Sequence, residues 1–544
     1  MSNFSASVAP EDLLPDPQPS QPQGWLLGSA ALIPVNLAPS LLLAVVGTVQ
    51  SYGRCWQQIR RDPLLGLAGL LSAAAVATAL LGEDWRLSLP GMFNYWPFLL
   101  MLPAFGAALA DPESRRRLAQ VLVLGSGLML LLGWGEVLWG WQGHLFLGPL
   151  WITGVAGGER PAAAFTSPNL LAIYLVIHLC LAAGLWGVTR SRLTRAGLVA
   201  MLGLGSLLLL LTASRSGWGA GGLALLIGLV LRRCWWGIAL LAGLGLASLA
   251  AALDWPGWRA VVPSLIWSRL ADTWDPQAPH FSSTANRLDA WRFALQMVRE
   301  RPLTGWGWQS FPALYNAQDP PELLGHCHNL YLHLAAEGGI PLLLGYLALW
   351  GWILARGWRA WRCSQDGLLL GMLLALTAFF AAGIVDVVIL DGRLHLLMTL
   401  LLGAVWGSSL DPLHSEQNGV PADPFPSQAF QPMPQQSSVL AFSGITLFIL
   451  SRLPDFLAYR LDGLTQFRLT HIPPHQISPF PRREGMGGES TPLQKGSKKL
   501  LLTHFRKSSV VSGVPHLLPW SSQSPCWPLI PSSQGISYPW RSPT

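Results

Sequence analysis

Leu207–Gly222 reads LLLLLTASRSGWGAGG. Five leucines close one apolar run, Ser214, Arg215 and Ser216 interrupt it, and a glycine-rich apolar run resumes at once. A guanidinium this near hydrocarbon is costly unless it faces a polar cavity, a partner or the membrane surface. The stretch therefore reads as a turn between two membrane spans. Arg215 at that turn is either an interface residue or a functional cation, and its surroundings must decide between them.

The same alternation of long apolar runs and short polar turns fills most of the chain. Of 544 residues, 51% are hydrophobic and 12% charged, against roughly 25% charged in soluble domains. That deficit points to an all-α polytopic integral membrane protein. The net charge of +7 is no sign of nucleic acid, because the arginines fall in short clusters between apolar runs, as in cytoplasmic membrane loops. Many of the 27 tryptophans cluster at run ends, among them Trp134, Trp139, Trp141, Trp350, Trp352, Trp358 and Trp361, where indoles favour the membrane interface. Six scattered cysteines without a CxxC pair give neither a disulfide framework nor a structural zinc site.

With about 20 apolar residues per span, candidates fall at 24–49, 63–82, 90–110, 118–139, 170–188, 196–212, 217–231, 234–253, 338–355, 367–390 and 394–410. That makes eleven, or twelve if Pro34 and Pro39 bend the first into a re-entrant pair. Alternate loops hold fourteen arginines (Arg54, Arg60, Arg61; Arg115, Arg116, Arg117; Arg190, Arg192, Arg195; Arg232, Arg233; Arg356, Arg359, Arg362), whereas the opposing short loops hold Arg86, Arg160, Arg215 and Arg393. This asymmetry puts the second set outside, together with a long loop at 254–337. The resulting organisation is a leader at 1–23 without a signal-peptide n-region, a transmembrane bundle at 24–253, the outside loop at 254–337, further spans at 338–410, and a tail at 411–544. That tail carries 19 of the 43 prolines and all four lysines and reads as disordered. We expect it to be dispensable.

Four outward features hold the candidate chemistry. RPAAAFTSPNLLAIYL (160–175) places Arg160 before a helix start at Pro168 and Asn169; a snorkelling arginine is the plain alternative. The turn bearing Arg215 is the second. SSTANRLDAWRFALQMVRERPLTGWGWQSF (282–311) repeats Leu288, Trp291, Leu295 and Val298 at helical spacing, which predicts an amphipathic surface helix opened by Arg287. There a helix N-terminus and a guanidinium would jointly hold an anion. LGHCHNLYLHLAAEGG (324–339) gathers His326, His328, His333, Cys327 and Glu337. His333 and Glu337 share a helix face, but the five-residue step from His328 does not fit joint metal ligation. A catalytic histidine and a polar cover for a span end remain the other readings.

In order and spacing, RPAAAFTSPN, TASRSG, NRLDAWRFALQMVRERPLTGWGWQSF and HNLYLHLAAEGG resemble the O-antigen ligase/polymerase family of bacterial inner-membrane proteins over roughly 160–400. The family's ligase signature is His, then Asn, Ser or Gln, nine residues, Gly, two residues, and Gly, Thr or Tyr. His328, Asn329 and Gly339 fit it, while Leu342 stands at the last position and leaves ligase and polymerase both open.

The resemblance implies a GT-C-like membrane glycosyltransferase, with amphipathic helices in the outside loop and its site at the periplasmic face. It would transfer a glycan from undecaprenyl-diphosphate to a lipid A-core or other glycan acceptor. His328 would be the general base, and Arg160, Arg215 and Arg287 would hold the donor diphosphate, supported by Asn169 and Asn329. The reaction would be inverting and need neither metal nor cofactor. A role in inorganic-carbon accumulation, known for relatives of this fold, is the third alternative. The few ionisable groups deep within spans argue against a transporter.

Overall fold

A computed structural model describes residues 21–141, 145–147, 150–152, 160–277 and 281–410; the tail at 411–544 and most of the leader lie outside them. The described chain is an all-α polytopic membrane protein. Its helices are α1 (Gln21–Leu32), α2 (Leu37–Ile59), α3 (Pro63–Leu81), α4 (Trp85–Met92), α5 (Trp96–Ala108), α6 (Pro112–Trp139), α7 (Pro168–Val188), α8 (Arg192–Leu211), α9 (Arg215–Leu231) and α10 (Trp235–Ala252). The long loop at 254–337 forms α11 (Trp258–Val261), α12 (Ser264–Ala271), α13 (Ser282–Glu300) and α14 (Ser310–Asn316), and the chain returns through α15 (Leu330–Ser364), α16 (Gly367–Ala382) and α17 (Gly392–Gly407). Leu145–Leu147 and Leu150–Ile152 pair as a small antiparallel ribbon.

Among the described residues six helices are long and apolar enough to cross a membrane: α3, α6, α7, α8, α10 and α15. Three more, α9, α16 and α17, are apolar but shorter. Many starts carry an acidic or hydroxyl cap, often followed by proline: Asp62-Pro63, Asp111-Pro112 and Ser167-Pro168, with Asp366 and Asp391 capping α16 and α17. The cap satisfies amides that hydrocarbon cannot, and proline at the first helical position lacks the amide altogether. The stretch 24–49 resolves into a hairpin. The chain turns after Leu32, Asn36 caps α2 through Ala38, and α2 folds back so that the Ser40 hydroxyl donates to Ser29 O at 2.7 Å.

The core is built on α7, α16, α17 and α5. Gly184 and Gly371 let α7 and α16 approach until each glycine meets the other helix's backbone, the close small-residue packing of membrane helices. Nearly all of α17 is buried, and Trp406 anchors it by donating from Nε1 to Asp62 Oδ2 at 2.7 Å.

The element that positions the outside loop is a break in α15. Gly339 leaves the helix at φ 83° and ψ 161°, two residues before Pro341. Pro341 has no amide to give Glu337 O, and the Gly339 kink diverts Ile340 N–H from Ala336 O. Residues 302–307 take up all three groups: Gly307 N–H donates to Glu337 O at 2.9 Å, Trp306 N–H to Ala336 O at 3.0 Å, and Ile340 N–H to Pro302 O at 2.8 Å. The GWGW turn is thus a plug for a broken helix. Its Trp308 is fully buried, donates to Ala75 O at 2.8 Å and stacks on Tyr95 at 4.1 Å.

The helix α13 presents its small residues to the protein and its leucines to the surroundings. Ala290, Ala294 and Met297 face inward, while Leu288 and Leu295 are 44% and 41% exposed. Alanines allow α13 to lie against α15, and the larger leucines are left on the outer face.

Gly305 (φ 66°) sits where an added Cβ would lie 2.2 Å from Glu337 O. Gly305→Ala is therefore expected to lower stability by at least about 2 kcal/mol, read as a fall in the thermal midpoint of the detergent-solubilised protein. Gly222→Ala, with open space around it, should leave the midpoint almost unchanged.

Candidate active site

Arg160, Arg215, Arg287 and His328 come from four separate stretches and meet at one end of the bundle. Arg160 bridges two of them, donating from Nε to Thr212 O at 2.6 Å and from Nη2 to Asn169 Oδ1 at 3.1 Å. Its loop is held from behind by Glu136, whose Oε2 accepts the Ala162 amide at 2.7 Å. Asn169 therefore orients Arg160. The TASRSG turn is sharp because Ala213 is left-handed at φ 48° and Ser214 caps α9. Arg215 opens that helix and reaches the outside loop, where Nη1 donates to Thr273 Oγ1 at 2.9 Å and Thr284 Oγ1 at 3.3 Å.

Arg269 on α12 is a fourth cation of this group, and the sequence reading passed over it. It donates to Ala213 O at 3.3 Å and pairs with buried Asp272 at 2.9 Å. The crowding shows in Arg160, whose guanidinium falls to about 10 through burial first and then through the charges of Arg269, Arg215 and Arg287. A cluster of guanidiniums that repel one another across a partly desolvated space is a receptor for an anion of high charge.

Arg287 lies in the second turn of α13, because that helix begins at Ser282 and not at the arginine. The expected pairing of its guanidinium with a helix N-terminus is absent. Its charge instead acts on Arg160 and on His326 and Asp386, so it stands between the arginine cluster and the histidines.

His328 also has a left-handed backbone, at φ 52°. Its amide donates to His326 Nδ1 at 3.2 Å, and its carbonyl accepts Trp291 Nε1 at 3.3 Å. This twist brings the two histidines together. Their rings meet edge-on at 4.4 Å, and both face Asp386, with His328 Nδ1 at 3.4 Å and His326 Nε2 at 3.9 Å from Oδ1. Asp386 is a second site residue absent from the sequence reading. The turn that carries it is tied to the histidine segment by Leu330 N–H donating to Gly383 O at 2.7 Å. Asn329 caps α15 by accepting the Tyr331 and Leu332 amides, each at 3.0 Å. It supports His328 through the backbone.

Burial works to raise the Asp386 carboxyl, but His328, His326 and Arg287 outweigh it and hold the group well below the usual carboxylate range. An ionised carboxylate beside Nδ1 draws the His328 proton to that nitrogen and leaves Nε2 open to accept another. His326 falls to about 4, from burial first, with the charges of His328 and Arg287 adding to it and Asp386 opposing. It is neutral at pH 7.

His326, His328 and Asp386 also bring ligand atoms within 4.8 Å of one another, close enough to raise a metal reading. The bond from His328 N–H to His326 Nδ1 decides against it. A neutral imidazole accepting at Nδ1 carries its proton on Nε2, the nitrogen facing Asp386, and is a donor there. His333 and Glu337 do share a helix face, at 3.4 Å, but Glu337 Oε1 accepts the Phe311 amide at 3.0 Å and belongs to the plug.

Residues 196–347 match the family model described as O-antigen ligase. The match takes in Arg215, Arg269, Arg287 and His328, and leaves Arg160 and Asp386 on either side. No curated protein matches the chain.

Asp386→Asn should lower the rate of the catalysed reaction by about 10²–10⁴ with little change in donor KM, because an amide donating to Nδ1 forces the wrong tautomer. A second expectation concerns pH. The unfolded chain takes up a proton near 6.5 that folded His326 refuses until about 4. The resulting stability is present above pH 6.5 and is lost as pH falls toward 4. The thermal midpoint should therefore drop over that range, and His326→Gln should make the drop smaller.

Proposed function

We propose that this member of the O-antigen ligase family transfers a glycan from undecaprenyl-diphosphate to a sugar hydroxyl of lipid A-core. The observation that carries the reading is the junction at Arg287, between an anion-receiving arginine cluster and a histidine held by an ionised aspartate. Those are the two halves that such a transfer requires.

The donor's diphosphate fits among Arg215, Arg269 and Arg287, with Arg160 fixing the turn that presents Arg215. As the bond from the anomeric carbon to the diphosphate oxygen breaks, negative charge grows on that oxygen, and guanidiniums already in place stabilise it without reorganising. His328 Nε2 takes the proton from the acceptor hydroxyl while its oxygen attacks the anomeric carbon from the opposite face. The configuration inverts, and Asp386 stabilises the imidazolium formed. The leaving group supplies the driving force, so neither metal nor nucleotide enters the steps. The arginine asymmetry of the loops supports an inner-membrane protein with this site facing the periplasm, and the boundaries 24–253, 254–337 and 338–410 then divide a bundle, its reactive loop and the returning helices.

A polymerase that joins repeat units on the carrier is the second reading, favoured by Leu342 where the ligase signature has Gly, Thr or Tyr. Deletion of the gene followed by gel analysis of surface glycan separates the readings. Ligase loss should leave long glycan on the carrier and bare lipid A-core. Polymerase loss should leave single repeats on the core. Unchanged glycan with altered bicarbonate uptake would overturn both.

A further inference from the structure

The opposite end of the bundle holds a cavity of 440 Å³ between the start of α6 and the α7–α8 turn, lined by Arg116, Gln120, Thr189, Arg190, Ser191 and Thr194 among others. Nothing in the transfer reaction uses it. Arg116 lies twenty residues before Glu136 on the same helix, which puts the cavity about 30 Å from the Arg160 loop.

The polar inventory of this cavity is one-sided. It has two guanidiniums, three hydroxyls and a carboxamide, and no carboxylate lines it. Glu113 is the nearest acid to reach a lining arginine, at 3.7 Å from Arg116 Nη1 and 3.1 Å from Arg117 Nε. It is half exposed and shared between the two, so it does not neutralise the pair. Arg116 Nε is shielded from water without a hydrogen-bond partner, an unmet donor on a residue that lines the cavity. Among the described residues Arg190 has no acidic partner. It follows the last turn of α7, at the level where a span ends and lipid headgroups begin.

We propose that this cavity binds a phosphate group at the membrane surface, held by the guanidiniums of Arg116 and Arg190 and by the hydroxyls of Ser191 and Thr194. Paired guanidiniums match phosphate geometry, and hydroxyls complete its oxygen shell. The phosphate arrives either as the headgroup of an anionic phospholipid or as the free ion. Either way the site ties the ends of α6, α7 and α8 together.

The test uses the purified full chain in an uncharged detergent. Retention of phosphatidylglycerol, phosphatidylcholine and inorganic phosphate is followed by native mass spectrometry. Wild type should retain phosphatidylglycerol over phosphatidylcholine, and Arg116→Gln with Arg190→Gln should weaken retention about tenfold. Arg117→Gln with Arg192→Gln removes the same charge outside the cavity and should leave retention intact. Competition by inorganic phosphate at millimolar levels marks the free ion as an occupant, and its failure to compete marks the lipid. Thr194→Glu keeps both arginines and should also weaken retention, which covers failure of the double variant to insert. Equal retention by wild type and both cavity variants, or equal loss in the charge-matched control, would overturn the proposal.

Discussion

The broken turn of α15 is the constraint on which the rest of the structure depends. A membrane helix that lacks one amide and bends two residues before it leaves carbonyls that hydrocarbon cannot satisfy. Here the missing donors come from 302–307, a segment of the outside loop. Closing the helix thus fastens that loop to the bundle. The loop then carries α13, with Arg287 and Trp291, to the mouth of the same helix whose capped first turn follows His328. The plug is a structural device, but it brings guanidinium and imidazole from distant stretches into one space.

That space is electrostatically unfinished. The charges of Arg269 and Arg287 act on Arg160 and Arg215, which burial also deprives of hydration. Asp272 offsets Arg269, while the ionised Asp386 is committed to the histidines. Such an arrangement is stabilised by an anion with several oxygens, and a diphosphate ester supplies both the charge and a leaving group. Reactivity and affinity therefore have one source. In the proposed transfer, the cations that hold the donor also stabilise its departing oxygen, which favours the transition state as charge develops there.

Much of this was legible in the chain. An arginine between leucine runs announced a turn, and the arginine asymmetry of the loops grouped Arg160, Arg215 and the histidine stretch on one face. The spacing of His333 and Glu337 placed them on one side of a helix, as found. What escaped has physical reasons. Asp386 lies 58 residues beyond His328 and reaches it through the packing of α16 on α15, which no local pattern encodes. Arg269 sits in a short helix with no period long enough to read. The contact of α13 with α15 runs through Ala290 and Ala294, small residues that the spacing of Leu288 and Leu295 does not mark. The left-handed His328 turns His326 and His328 toward one carboxylate, a backbone twist that spacing does not mark.

The central claim is that the arginine cluster and the His328–Asp386 pair perform one transfer. It is tested most directly with the purified chain, an undecaprenyl-diphosphate-linked glycan and a lipid A-core acceptor, by measuring released undecaprenyl diphosphate against glycan joined. One carrier released per glycan transferred, with release and transfer both lost in His328→Ala, is the expected result. Transfer that persists in His328→Ala at the wild-type rate would contradict the account.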